Sequence, residues 1–404
     1  MASALDGIVV VEAAGALAGP MAGRLLADWG ADVIHVEHPV RGDITRSQGL
    51  RAGGRTIKTD IPYTAQNQNR NKRGLTLDLF QEGGREIIYK LSEKADVFLS
   101  NFRRRELEKF KLEYETLSQL NPRLIYANVS GYGKKGPDRD LSGYEHTGYF
   151  SRSGMLHLLQ VPGTRPAQTP VGLGDYVNGA ALALGIMTAL FMRERTGVGQ
   201  EVDVSLFHTG VFAISWDIAG ALVTGQDRQM VGREDLDNVL VNPYQTKDGR
   251  WLYLALMQPD NYWSKLCRAI EREDLEHDPR FELFEPRVQN RLALFKILEE
   301  VFLSKPLDEW KPRLSGAGLP WGPVQNLQEV INDPQARAND FFIPLDHPTH
   351  GRIEVVANPV KLSKSPEIIR MPPPEFSQHT EDILLECGYT WEDIEQFKKQ
   401  GVIA

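Results

Sequence analysis

The stretch GIVVVEAAGALAGPMAGRLLADWGADVIHVEHP, residues 7–39, decides the fold. GIVVVEAA is a short, nearly continuous apolar run, the pattern of a strand buried on both faces. GALAGP follows as a loop of small residues. MAGRLLADWG reads as a helix with a glycine stop, and ADVIHVEHP as a second strand ended by proline. Strand, helix and strand make one β-α-β unit, the building block of a parallel sheet with right-handed crossovers. The alternation continues outward. GLTLDL, DVFLSNF and RLIYANVSGYG read as further strands, with helices GGREIIYKLSEKA and YETLSQLNP between them. Residues 1–220 are therefore expected to form a large Rossmann-like, doubly wound α/β domain.

The pattern shifts after the strand QEVDVSLF. From about residue 225 the chain is more charged, and YQTKDGRWLYLAL reads as a hairpin around Lys247-Asp248-Gly249. Helices are expected in DNYWSKLCRAI, RVQNRLALFKILEEVFLSK and PLDEWKPRLSGAG. Together they outline a smaller α+β domain over residues 225–330. GRIEVVANPVKLS reads as a strand pair and MPPPEFSQH as an exposed proline-rich linker. Two short helices then close a C-terminal segment, 345–404. The second opens at TWED, where Thr390 can cap and Asp393 can reach back.

Composition narrows the class. The 404 residues are 41% hydrophobic and 25% charged, an ordinary globular balance. No apolar run approaches the roughly 20 residues that span a bilayer, so no membrane association is expected. The start MASALDGIVVVEAAG lacks the basic opening of a signal peptide. Cys267 and Cys387 stand far apart and match no metal spacing. These features lead to the expectation of a cytoplasmic, reducing location. A net charge of −8 argues against a nucleic-acid partner. The nine histidines are dispersed, with no H-E-x-x-H, so no metal is expected. Nor is there a G-x-S-x-G elbow.

Ligands of doubly wound sheets sit beyond the carboxyl ends of the strands. The loops there are Gly15–Pro20, Asn101–Arg105 and Gly131–Pro137. The first is small and suits a flat ligand lying close, but it is no G-x-G-x-x-G fingerprint. The other two carry basic side chains, Arg104 and Lys135 among them, and Arg70, Lys72 and Arg73 add a third cluster. Such groups pair with phosphates, although each cluster alone also reads as a solvated face. Asp175, in VGLGDYVNGAALALG (171–185), has two readings as well. It can cap the apolar helix that follows, or it can be a nucleophilic carboxylate flanked by glycines so that a substrate approaches.

LDGIVVVEAAGALAGPMAGRLLADWGADVIHVEHPVRGD resembles the opening of class III CoA-transferases. NRNKRGLTLDL, DVFLSNF, NPRLIYANVSGYGKKGP and GLGDYVNGA follow in that family's order, and HTEDILLECGYTWEDIEQFKKQGVI matches its ending. The resemblance spans nearly the whole chain. It implies a large and a small domain, a C-terminus that returns to the large domain, and two ring-shaped subunits interlocked as a homodimer, with a heterodimer of paralogues as the alternative. It implies acyl-CoA and carboxylic acid substrates, with no cofactor beyond coenzyme A as substrate. Asp175 becomes the nucleophile that carries first an acyl anhydride and then a CoA thioester. The N–H groups of Gly172 and Gly174 become candidates for holding oxyanions. Ala16 and Ala18 match the loop lining the nucleotide. Leu77, Asn101 and Phe102 match positions around adenosine and pantetheine. Tyr144 matches a tyrosine near the active site, and Lys109 stands where the family often has arginine.

Two departures point away from formyl and oxalyl substrates. Leu17 replaces a glutamine near the reacting carbonyl, and DLDNVLVNPYQTKDG replaces a glycine-rich lid. GYGKKGPDRDLSGYEHTGYFSRSG is closest to the phenyllactate-cinnamate branch, which implies an aryl, branched 2-hydroxy or substituted succinic acid. The rival within the fold is an α-methylacyl-CoA racemase, which moves a proton with a histidine and the same aspartate. Its histidine would stand at Tyr144, a poor proton carrier at neutral pH. His146, two positions on, is the residue that a shifted alignment would use. A non-catalytic subunit is the other alternative, and the presence of Asp175 argues against it.

Overall fold

The computed structural model describes residues 3–46 and 59–404. They divide into two compact units, one drawn from residues 1–159, 167–226 and 339–404, the other from 160–166 and 227–338. The first unit is built on β1 (Val9–Ala13), β2 (Asp32–Glu37), β3 (Lys72–Thr76), β4 (Val97–Ser100), β5 (Ile125–Ser130) and β6 (Glu201–Ser205). All pair in parallel, in the order β3-β2-β1-β4-β5-β6. The order reverses between β1 and β4, which opens a crevice at their carboxyl ends.

Both faces of the sheet are covered. Val11 faces one core with Leu75, Phe98 and Tyr126, where α3 (Glu82–Ser92), α4 (Arg104–Phe110), α5 (Tyr114–Leu120) and the C-terminal helices Thr380–Glu386 and Trp391–Gln400 pack. Val10 faces the other, with α1 (Ala18–Asp28) and α7 (Leu173–Thr196). Alternation of side chains across a strand buried on both faces is why GIVVVEAA is apolar throughout. Its one charge, Glu12, is fully buried and accepts from Lys72 Nζ at 2.7 Å, with His35 Nδ1 2.6 Å away. Arg70 is bound to buried Asp28 at 2.8 Å, and Arg73 to Asp32 and Glu386. The expected phosphate cluster of Arg70, Lys72 and Arg73 is thus an ion-pair network, two of its members sealed in the core.

α7 differs from expectation. It has 24 residues, and a mean hydropathy of 1.3 over 18 of them makes it long and apolar enough to cross a membrane by length and composition. Its inward face, Leu182, Ile186 and Leu190, packs in the core, and its Arg193 is buried 2.7 Å from Asp96.

The C-terminal strand Gly351–Val356 pairs with Phe342–His347 upstream of it, not with residues after it. Nor is the proline-rich stretch a free linker. It is docked along β3, where the Asn71 N–H donates to Met371 O and a Cβ on Gly74 would come 3.1 Å from Pro374. Thr390 and Asp393 form the expected capping box. In the second unit Val241–Gln245 and Trp251–Ala255 form the hairpin, and Trp321–Pro323 adds a third strand. Helices Pro259–Ala269, Arg291–Leu303 and Leu307–Gly316 pack a separate core around Trp310, Phe302 and Tyr244.

Candidate active site

A cleft of about 770 Å³ opens at the carboxyl ends of β1, β4 and β5, within the size range of ligand sites. Its floor is the loop before α1. Asn101 holds that loop from both sides, donating to Gly15 O at 2.7 Å and accepting from Gly15 N at 3.1 Å. Asp43 accepts from Ala16 N at 3.0 Å and so supports Ala16 in a left-handed conformation, φ 62°. The far wall is the loop after β5. It folds back where Gly131 meets Gly143, so closely that a Cβ on Gly131 would lie 2.6 Å from the Gly143 Cα. Only glycine permits that approach.

Asp175 enters the cleft from α7. The helix crosses α1 at Gly179, where a Cβ would come 2.8 Å from Ala18 O. Asp175 lies one turn earlier and therefore on the same face, beside the Ala16–Ala18 loop. It is not the cap. Gly172 takes that position with φ 86°, and Asp175 sits inside the first turn. The capping acceptor is Glu145, from the far wall. Its buried carboxylate accepts from Gly172 N at 2.6 Å, Gly174 N at 2.8 Å and Asp175 N at 3.4 Å. These donors are the orphan groups of the helix end. With them satisfied by Glu145, the Asp175 carboxylate has no hydrogen-bond partner among the described residues. Burial first, and the neighbouring Glu145 charge second, push its pKa up from the ordinary 3.8 to about 7.

Residues 5–380 match the profile of CoA-transferase family III. The chain belongs to this family. It is 36% identical to (R)-2-hydroxy-4-methylpentanoate CoA-transferase of Clostridioides difficile, over 99% of each chain. It is 33% identical to cinnamoyl-CoA:phenyllactate CoA-transferase of Clostridium sporogenes, over 98% of this chain and 96% of that one. A CAIB/BAIF family protein from Brucella suis has the same fold, with a TM-score of 0.84 at 32% identity, over 96% of this chain and 100% of that one.

In this family III CoA-transferase the cleft gathers Ala16, Leu17, Ala18, Asn101, Phe102, Arg104, Tyr144 and Asp175. Leu77, Lys109 and Lys135 lie elsewhere. Leu77 is sealed in the sheet core, and Lys109 Nζ sits 4.5 Å over the Phe80 ring. Lys135 is exposed outside the lining. The basic groups of the rim are already matched. Arg104 pairs with Glu108 at 2.6 Å and Lys134 with Glu201. Gly172 and Gly174 need correction. Both are buried outside the cleft lining, and their N–H groups are taken by Glu145, so they hold no oxyanion in this arrangement. Gly174 is small because a Cβ would come 2.7 Å from the Tyr149 ring, not because a substrate approaches there.

No histidine lines the cleft among the described residues; His146 stands 3.9 Å from Glu145, outside the lining. Glu145 was missed at the level of sequence. Its partners are backbone N–H groups 27 to 30 residues away, which leave no side-chain pattern to read.

Proposed function

We propose that this chain transfers CoA from an acyl-CoA to a carboxylic acid through covalent chemistry on Asp175. The observation that carries this reading is the free Asp175 carboxylate in the cleft, released from capping by Glu145. One Asp175 oxygen attacks the donor thioester carbonyl, and the C–S bond breaks to give a mixed anhydride and CoA thiolate. The thiolate attacks the Asp175 carbonyl carbon and expels the donor acid, leaving an aspartyl-CoA thioester. The acceptor carboxylate attacks that carbonyl and releases the thiolate again. The thiolate then takes the acceptor's acyl group and frees Asp175. The thioester bond energy is conserved throughout, because each step exchanges one activated acyl for another.

In this reading CoA lies in the cleft with its nucleotide over Ala16–Ala18, and Arg104, whose pair with Glu108 is solvent-exposed, exchanges that carboxylate for a CoA phosphate. Tyr144 stands at the mouth beside the reacting carbonyl. The racemase alternative needs an imidazole facing Asp175, and the cleft offers a tyrosine instead. The acceptor is an aryl, branched 2-hydroxy or substituted succinic acid, the first two classes being in keeping with the substrates named for the two relatives. The active species is a homodimer. Phe212, Trp216, Leu222 and Val223, on consecutive helices at Leu206–Ala213 and Ser215–Thr224, are largely exposed, Trp216 by 89%. An apolar surface of this kind fits a second copy of the chain.

The test is a transfer assay that follows new acyl-CoA by chromatography across donor esters and acids. The wild-type chain should transfer CoA, and Asp175→Asn should be slower by several orders of magnitude. Transfer at a wild-type rate by Asp175→Asn would overturn the proposal.

A further inference from the structure

The floor loop of the cleft is fixed at two points. Asn101 clamps Gly15 through bonds of 2.7 and 3.1 Å, and Leu17 is the N-cap of α1, its carbonyl accepting from Met21 N at 2.9 Å. Ala16 alone sets the angle between them. Its φ of 62° lies in the left-handed region, which costs energy for any residue with a side chain. We infer that Asp43, from the loop after β2, is a positioning residue of the transfer reaction: by holding Ala16 in that conformation it sets where Leu17 and Ala18 stand beside Asp175. The inference rests on the reading of Asp175 as the reacting group, and it adds a residue that lies outside the cleft lining.

Asp43 is buried, and both of its oxygens are engaged. Oδ2 accepts from Ala16 N at 3.0 Å, and Oδ1 accepts from Thr45 N at 2.6 Å and from the Thr45 hydroxyl. Asp43 N donates to Glu37 Oε2 at 2.8 Å, and Arg46 Nε donates to the same oxygen at 2.6 Å. The end of β2 thus braces the carboxylate against the floor loop. Gly15 leaves room for it, since a Cβ there would come 2.9 Å from Asp43 Oδ2. A carboxylate is required because donors meet both oxygens. An amide would keep its oxygen on the two Thr45 donors and turn its NH2 toward Ala16 N, so that two donors would face each other. A backbone N–H bound to a carboxylate makes a stronger bond than one bound to a neutral acceptor. That bond offsets the cost of the left-handed Ala16.

The consequence falls on chemistry more than on binding. CoA is long and spreads its contacts over the cleft, so a shift in one turn removes few of them. The reacting carbonyl must meet an Asp175 oxygen within a narrow distance and angle, and a misplacement of about 1 Å costs on the order of 100-fold. α7 abuts this loop at Gly179, where a Cβ would come 2.8 Å from Ala18 O, so a shift of Ala18 bears on the helix that carries Asp175.

The experiment is a double-mutant cycle read in kcat, with CoA binding by calorimetry and urea unfolding measured on each variant. Asp43→Asn should lower kcat on the order of 10–100-fold and raise the Kd for CoA by a clearly smaller factor. Gly15→Ala, whose Cβ displaces the same carboxylate oxygen, should reproduce that loss with Asp43 intact, and it carries the test if Asp43→Asn does not fold. Thr45→Val removes a bond from the other oxygen and leaves the Ala16 bond in place, so its kcat should stay close to wild type. Glycine enters the left-handed region without a steric cost. Asp43→Asn made in an Ala16→Gly background should therefore lose much less kcat than it does in the wild-type background. An unchanged kcat in Asp43→Asn, a loss expressed only in Kd, an equal loss in both backgrounds, or a loss in Thr45→Val as large as in Asp43→Asn overturns the inference while the transferase reading stands. Absence of the Asp175 adduct in the wild-type chain would instead overturn that reading.

Discussion

Replacing Asp175 by Asn should make the protein more stable at neutral and alkaline pH while abolishing its activity. The carboxylate is half-buried beside Glu145, and its pKa rises from 3.8 to about 7, chiefly through burial and secondarily through Glu145. The unfolded chain releases this proton near pH 4, and the folded chain keeps it until about pH 7. Between those values the folded state binds more protons, so the group's contribution to stability falls as pH rises. Below pH 4 nothing is lost; above pH 7 the full cost is reached. At about 1.4 kcal/mol per pH unit, the rise to about 7 corresponds to about 4 kcal/mol. The side of the group that faces the open cleft keeps some water, which leaves about 2–4 kcal/mol. Asn matches the shape and cannot ionise. Urea unfolding of both proteins at pH 4, 6 and 8, at one fixed protein concentration, reads the difference directly. The expected result is equal stability at pH 4 and a gain for Asp175→Asn that grows to 2–4 kcal/mol at pH 8. A variant no more stable than wild type at pH 8 would refute the reasoning, because it would mean that burial does not burden the carboxylate.

Glu145→Gln removes both the charge beside Asp175 and the anionic acceptor for Gly172 N–H and Gly174 N–H. It should destabilise the fold by about 1–3 kcal/mol and move the alkaline-rising limb of the pH–rate profile to lower pH; a limb that stays in place would separate Glu145 from the nucleophile. Gly143→Ala pushes a Cβ into the Gly131 backbone, and should weaken CoA binding on the order of tenfold or more by opening the far wall; calorimetric titration with CoA measures it. If the proposed homodimer forms through this face, Trp216→Glu, which places charge on the exposed apolar helix, should sediment as a monomer where the wild-type chain sediments as a dimer; a variant that stays dimeric would put the interface elsewhere.

Much of the fold was legible because its signals are local. The strands of the parallel sheet are short apolar runs, and helices with glycine stops separate them, so the first β-α-β unit could be read directly. The helix α1 starts earlier than MAGRLLADWG, at Ala18, because Gly19 and Pro20 fit within a first helical turn. Features set by distant partners were not legible. The strand Phe342–His347 carries Pro344 in its middle, and its apolar residues Phe342, Ile343 and Leu345 do not alternate strictly with polar ones, so it lacks a strand signature. The prolines of MPPPEF read as linker, yet they flank main-chain bonds made by Asn71 some 300 residues away. At the site, Asp175 stood out because a lone carboxylate precedes an apolar run. The reason given for its glycines was wrong: one turns the chain into the helix and the other yields to Tyr149. Basic clusters misled because residue type alone does not separate a buried ion pair such as Arg70–Asp28 from a ligand contact.

The central claim is that Asp175 carries the acyl group and then CoA. Incubating the protein with an acyl-CoA and no acceptor acid, then quenching with hydroxylamine or borohydride, tests it most directly. Peptide mass spectrometry should find Asp175 as the hydroxamate in one case and as the alcohol in the other, with neither change in Asp175→Asn. A wild-type protein that turns over acyl-CoA and acid yet yields an unmodified Asp175 peptide under both quenches would contradict the account.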